Sequence, residues 1–321
     1  MLGNRLGWLL ALLPTAILTW AAWQLVEFNR LTAETGLLKT TAAVRPIEFE
    51  VPPETIFAMT AVGDATALYR EAIADIRRNP EQYAAAERST AADAFEKTPA
   101  GRAVLAAAPM AAPIGLAADT AVWGGYGGAA DDLDAVDLVG RLLIRAGLLH
   151  RETDSTKARR LFEAGFALGV KLFNERARYA EAALGLTIAR EAAAGLRSLA
   201  ERAGDARRVG LLTTFDRSAA GLQETRLSPL WRAIGSLDGN LIARHAGDAA
   251  ALARPTTPER LWRAEAALAL GRQKFSLERD ADRLAVPRRL KEAAAGETDP
   301  VVLAAIHAAE SLTIEQYRML R

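Results

Sequence analysis

His150, His245 and His307 are the only imidazoles in the 321-residue chain, and no cysteine accompanies them. A zinc site needs nitrogen or sulfur ligands gathered at close spacing, most simply two histidines one helical turn apart. None of the three histidines has a second within such reach, so each is expected at a helix end or on a surface. The missing cysteine also removes disulfides, thiolate nucleophiles and a lipidated N-terminal cysteine. Asp131, Asp132, Asp134 and Asp137 are the densest carboxylate group. A calcium loop would need alternating acidic ligands, a following glycine and a distal glutamate. These aspartates lack that pattern; Asp131 or Asp132 is expected instead to cap a helix, with the rest favoured by its positive N-terminal dipole.

Nucleophilic chemistry finds no better footing. No serine stands in a GxSxG turn, and no SxxK element has its supporting motifs. Many Glu and Arg residues recur three or four apart, the spacing of solvated helix faces. An envelope hydrolase whose two carboxylates meet only in space is the enzymatic alternative, but no pair is singled out, and no catalytic, metal-ligating or cofactor-binding residue is assigned. The glycine-rich WGGYGG at 123–128 has neither the spacing of a phosphate loop nor a strand before it. It is expected to be a junction, with Trp123 and Tyr126 as anchors for a partner or for the body itself.

The elements that carry these residues begin with an uncharged stretch, residues 6–26. As a helix rising ~1.5 Å per residue it spans the ~30 Å hydrocarbon layer. Trp8 lies toward one end and Trp20 and Trp23 toward the other, the depth that indole rings prefer. A cleaved signal peptide is the competing reading, but Trp20 or Thr19 would occupy the position where cleavage wants a small residue. An uncleaved signal anchor in the inner membrane is therefore expected, with the N-terminus cytoplasmic and the large C-terminal body periplasmic. The lipid bilayer is then one partner.

Beyond the anchor, residues 29–62 read as a stalk and linker. Ile47, Phe49 and Val51 alternate with Glu48 and Glu50 between Pro46 and Pro52, the period of a short extended segment near 46–53. From Asp64 the pattern is helical. A capping side chain followed by proline recurs at Asn79, Thr98, Ser228, Thr257 and Asp299. The fold class expected is all-α, an irregular antiparallel helical array. Its sections are a small acidic one at 63–112, a Gly/Ala-rich junction at 113–130 and the main array at 131–321.

The helix from Asp131 or Asp132 to about His150 is expected to be central. Asp137 and Arg141 form an i,i+4 pair on it. Ser155 is expected to cap the next helix, which carries Leu161, Phe162, Phe166, Leu168, Leu172 and Phe173 on one broad face. Gly165 and Gly169 in that face admit a close neighbour, expected to be the Ala-rich helix that ends at Gly204. This pair resembles a tetratricopeptide-type helical hairpin over residues 141–203, although no 34-residue period is sustained. Asp238-Gly239 and Gly247-Asp248 read as turns, and residues 300–320 as one closing helix.

Twelve acidic and six basic residues fall in 61–137, against 22 acidic and 30 basic in 138–321. With a net charge of only +1, the chain lacks the basic excess of a nucleic-acid binder. The function expected is that of a membrane-anchored scaffold or accessory subunit whose partners are other subunits of a membrane complex.

Overall fold

The computed structural model describes residues 20, 22–23, 47–116, 130–176, 178–228, 249–276 and 280–319. Helix accounts for 75% of these residues and none lies in a strand, so the described chain is all-α. The helices are α1 (Ala65–Arg78), α2 (Pro80–Arg88), α3 (Pro99–Ala107), α4 (Ala130–His150), α5 (Ser155–Glu175) and α6 (Tyr179–Arg202). They continue with α7 (Ala206–Leu222), α8 (Arg260–Ser276), α9 (Asp280–Ala294), α10 (Pro300–Ser311) and α11 (Ile314–Met319). A π-helical turn, Gln223–Leu227, prolongs α7.

Side-chain caps set most helix starts. Asp64 accepts from Ala67 N–H, Thr98 from Gly101 N–H and Asp299 from Val301 N–H, each satisfying a donor that the first turn leaves free. Three expected boundaries move. Asp154, one residue earlier than Ser155, caps α5 through Lys157 N–H. α4 starts at Ala130, so Asp132 sits in its first turn and pairs with Arg77 at 2.8 Å instead of capping. α8 starts at Arg260, past Thr257 and Pro258, because the Glu259 carboxylate takes Leu261 N–H.

The closing helix is also two helices. Thr313 N–H bonds Gln316 Oε1 and Gln316 N–H bonds Thr313 Oγ1. This reciprocal cap restarts the chain as α11.

α5 is the helix enclosed on both sides. Phe162, Phe166 and Phe173 face one core with α6, α7, α8, α9 and α10, while Leu161, Ala164, Leu168 and Leu172 face a second with α1, α3 and α4. α4, expected to be central, buries one face and leaves Asp134, Arg141 and Leu148 exposed. α5 and α6 run antiparallel at glycine-controlled distance. A Cβ on Gly169 would stand 2.4 Å from Ala189 N and 2.6 Å from Gly185 O, and one on Gly185 would stand 2.6 Å from Phe173 N. Gly165 is looser, with Ala192 Cβ at 3.4 Å. Gly204, at φ +68°, ends the α6 turn.

Among the described residues no helix is long and apolar enough to cross a membrane. Of the expected anchor, only Trp20, Ala22 and Trp23 are described; they are helical, and the two indoles are 63% and 59% exposed. Trp8 and the remainder of 6–26 lie outside the described residues, as do the expected turns at Asp238-Gly239 and Gly247-Asp248.

The glycine seam makes a direct prediction. Gly169→Ala forces backbone apart and lowers unfolding free energy by ~1–3 kcal/mol. Gly210→Ala, in α7 with no atom within 4 Å of the added carbon, raises it by ~0.5–1 kcal/mol. Denaturant melts of both variants check the contrast, and equal effects would show that the α5–α6 distance does not depend on Gly169.

Candidate functional site

Residues 47–57 form an isolated arm that lies along the helical array. The alternation expected from sequence is present: Ile47 and Val51 are buried, Glu48 and Glu50 exposed. Phe49 is half-buried, its ring 4.5 Å from that of Phe173 and 5.2 Å from that of Phe215. Phe166 extends the cluster, 5.1 Å from Phe215. No sheet receives the arm; its place is set by aromatic packing at the centre and by ionic groups at its start.

Those groups are Arg176, just past the end of α5, and Glu259, just before α8. Glu259 Oε2 accepts Ile47 N–H at 2.7 Å, and Arg176 Nη2 donates to the Ile47 carbonyl. Arg176 Nε and Nη2 reach Glu259 at 3.2 and 3.1 Å, while Nη1 donates to the Phe173 carbonyl at 2.9 Å. The guanidinium lies 4.6 Å from the centre of the Phe173 ring. Both side chains are almost fully buried, at 8% and 2% exposure. Burial pulls the Arg176 guanidinium below its ordinary value and the Glu259 charge opposes this; so basic a group keeps its proton.

A cavity of about 530 Å³ opens beside this clamp, lined by the arm, Asn174, Pro258, Arg260, Arg263 and Asp299. Asp299 pairs with Arg260, and Arg263 pairs with Glu297 at 2.8 Å and with Asp299 at 3.8 Å. Each of the carboxylates Glu259, Glu297 and Asp299 is thus paired with an arginine. Glu48 and Glu54 also line the cavity, and both are solvent-exposed. Among the described residues no group of three or more His, Asp or Glu is placed to hold a metal ion. The arrangement is equipped to hold chain segments by charge and hydrogen bond.

A second buried cluster holds the segment after α3. The Glu175 carboxylate accepts the N–H groups of Ile114 and Gly115, and Gly115 has φ +79°. One turn earlier on α5, Lys171 Nζ donates to the Ala107 carbonyl at 3.0 Å and lies 5.0 Å from the Tyr69 ring centre. Burial pushes Lys171 down to about 8, partly offset by Glu175, and pushes Glu175 up against its backbone donors. Burial also raises the Tyr69 phenol, whose hydroxyl has no hydrogen-bond partner.

The residues singled out from sequence scatter. His150 is buried and bonded to Glu96 at 3.0 Å; His307 is exposed, 3.4 Å from Glu310. Asp137 pairs with Arg141 at 2.6 Å as its spacing implies. Trp123, Tyr126, His245 and the Asp131 side chain lie outside the described residues. Arg176, Glu259, Lys171 and Glu175 went unmarked because nothing local distinguishes a buried charged residue on an Arg- and Glu-rich chain; the one usable signal was Lys171 within an otherwise apolar run.

Truncating one side of the clamp leaves the other charge buried and unpaired. Arg176→Ala or Glu259→Ala should therefore cost ~3–5 kcal/mol, and Arg176→Met/Glu259→Leu less than either single change; urea melts with limited proteolysis at residues 47–57 measure both the loss and the release of the arm. Lys171 gives a pH prediction. Its folded value is lowered, so the unfolded chain binds more protons between about 8 and the ordinary lysine value of 10.5. Stability contributed by this group rises with pH through that window. The wild-type minus Lys171→Met difference in unfolding free energy should slope upward there, and a flat difference would place Lys171 in water. Comparison with protein-family models, curated proteins and solved structures finds no match for this chain, the tetratricopeptide-like pair included.

Proposed function

We propose that this protein is a non-enzymatic scaffold or accessory subunit, tethered to the inner membrane by residues 6–26 with its helical body on the periplasmic side. The tether confines the body to the plane of the bilayer and the body supplies contact surface for other subunits of a membrane complex. An energy-transducing assembly and an envelope or secretion assembly are both compatible with that role. Trp8, Trp20 and Trp23 would sit at the bilayer interface, and Trp123 and Tyr126 remain candidates for partner contact.

One observation carries this reading. Ile47, the first described residue on the C-terminal side of that segment, is bonded by both members of a buried ion pair, so the described body begins at a clamped residue. A clamped entry point of this kind is what a tethered body would use. A swinging catalytic domain on a flexible leash would gain nothing from it. The cavity at the clamp supports the same view, since Glu259 and Asp299 in its lining are both engaged by arginines.

Extraction in mild detergent followed by native mass spectrometry tests the proposal. Co-migrating membrane subunits at fixed ratio are expected; a chain that always runs alone would end the scaffold reading. Reporter fusions at the C-terminus test the topology, with periplasmic activity expected and cytoplasmic activity reversing it.

A further inference from the structure

We infer that the clamp-side edge of the arm is a strand-addition site for a short extended peptide segment of a partner, one that carries lysine or arginine. This rests on the scaffold reading and names the surface and the chemistry through which it would act. In extended chain, the N–H and C=O of residues two apart point to the same edge, where a neighbouring strand exchanges hydrogen bonds with them. Ile47 already spends both of its groups in this way, its N–H on Glu259 and its C=O on Arg176. The ion pair thus stands where the first residue of a paired strand would stand.

Phe49 is the next residue on that edge. Among the described residues, no backbone N–H or C=O from Glu48 through Val51 has a hydrogen-bond partner. Unpaired extended backbone is a template for another chain. The cavity of about 530 Å³ runs along Ile47 and Phe49, leaving room for a strand at the usual ~4.8 Å spacing. The chain bends at Glu50 and Val51, so the added ladder is short and side chains must supply the remaining specificity.

Charge selects the occupant. Arg260 and Arg263 are engaged by Asp299 and Glu297, and Arg176 by Glu259. Among the described residues Glu48 and Glu54, both exposed on the cavity rim, make no hydrogen bond or ion pair, although the Glu48 charge acts through space on Arg176. The rim is therefore acidic, and opposite charges across a strand pair attract. A second copy of the arm is a poor occupant, because it would set glutamates against glutamates. A further cavity of about 530 Å³, which shares Glu48 with the first, is lined by Glu48 and Glu50 together with Arg217 and Arg226, so that slot carries no acidic excess.

The test uses the full chain in mild detergent and three fluorescein-labelled octapeptides. One alternates lysine with valine, one alternates glutamate with valine, and one is the lysine peptide N-methylated at every residue, which keeps the charge and removes the backbone donors. The lysine peptide should bind, slow hydrogen exchange of the Phe49 amide by about tenfold or more, and weaken roughly three- to tenfold with Glu48→Gln/Glu54→Gln, the effect of two exposed charge pairs. Equal binding of the glutamate or N-methylated peptide would overturn the site, as would an unchanged Phe49 amide, or a free chain already dimeric with that amide protected. The outcome separates from the scaffold question. Subunits that stay bound to the Glu48→Gln/Glu54→Gln chain while the lysine peptide fails would remove this site and leave the scaffold reading; the lysine peptide binding to a chain that otherwise runs alone would do the reverse.

Discussion

The buried pair of Arg176 and Glu259 is the contact on which the arrangement of the described chain turns. It joins the end of α5, the start of α8 and the first described residue of the arm, and each of the three would otherwise present unsatisfied polar groups. Glu259 serves Ile47 N–H, Leu261 N–H and the guanidinium at once. Arg176 serves two carbonyls and the carboxylate. Two charges withdrawn from water are costly, and the cost is offset only when nearly every donor and acceptor is met. That condition makes the clamp specific: the arm, the two helix ends and the ion pair must come together or none is stable in place.

Around that point, beside a smaller third core that joins α8, α10 and α11, lie two cores divided by α5. The helix can serve both because its apolar residues surround it and because α6 approaches within backbone contact at Gly169 and Gly185. Close approach on one side leaves the phenylalanines of α5 to fill the space beneath the arm. The same helix carries Lys171 and Glu175 to the opposite side, where they hold the carbonyl of Ala107 and the amides of Ile114 and Gly115. This helix and the Arg176 that follows it therefore fix two segments outside the α-helices, the arm before α1 and the strap after α3. Both segments are held through backbone groups by buried charged side chains rather than by a sheet.

This economy bears on function. Ionic groups beside the clamp cavity are committed to internal geometry, which leaves shape, exposed charge and open backbone as the means of recognition. These are the properties that the proposed scaffold role would draw on.

Much of the architecture was legible in sequence. The all-α class, the caps at Asp64, Thr98 and Asp299, the end at Gly204, the alternation of the arm and the Asp137–Arg141 pair all depend on contacts within a few residues, which local spacing encodes. Where sequence reasoning misplaced an element, a tertiary or less familiar local partner had intervened. Glu259 displaced the expected start at Thr257 and Pro258 because it also had Ile47 to bind, and the Thr313–Gln316 cap split the last helix. The central helix proved to be α5, since enclosure depends on how many neighbours a helix meets and not on its own composition. What only the tertiary structure decided is the clamp itself. Ile47 lies 212 residues from Glu259 and 129 from Arg176, and on a chain with 34 arginines no linear pattern marks one for burial; the desolvation that makes the pair consequential exists only once the helices have packed around it.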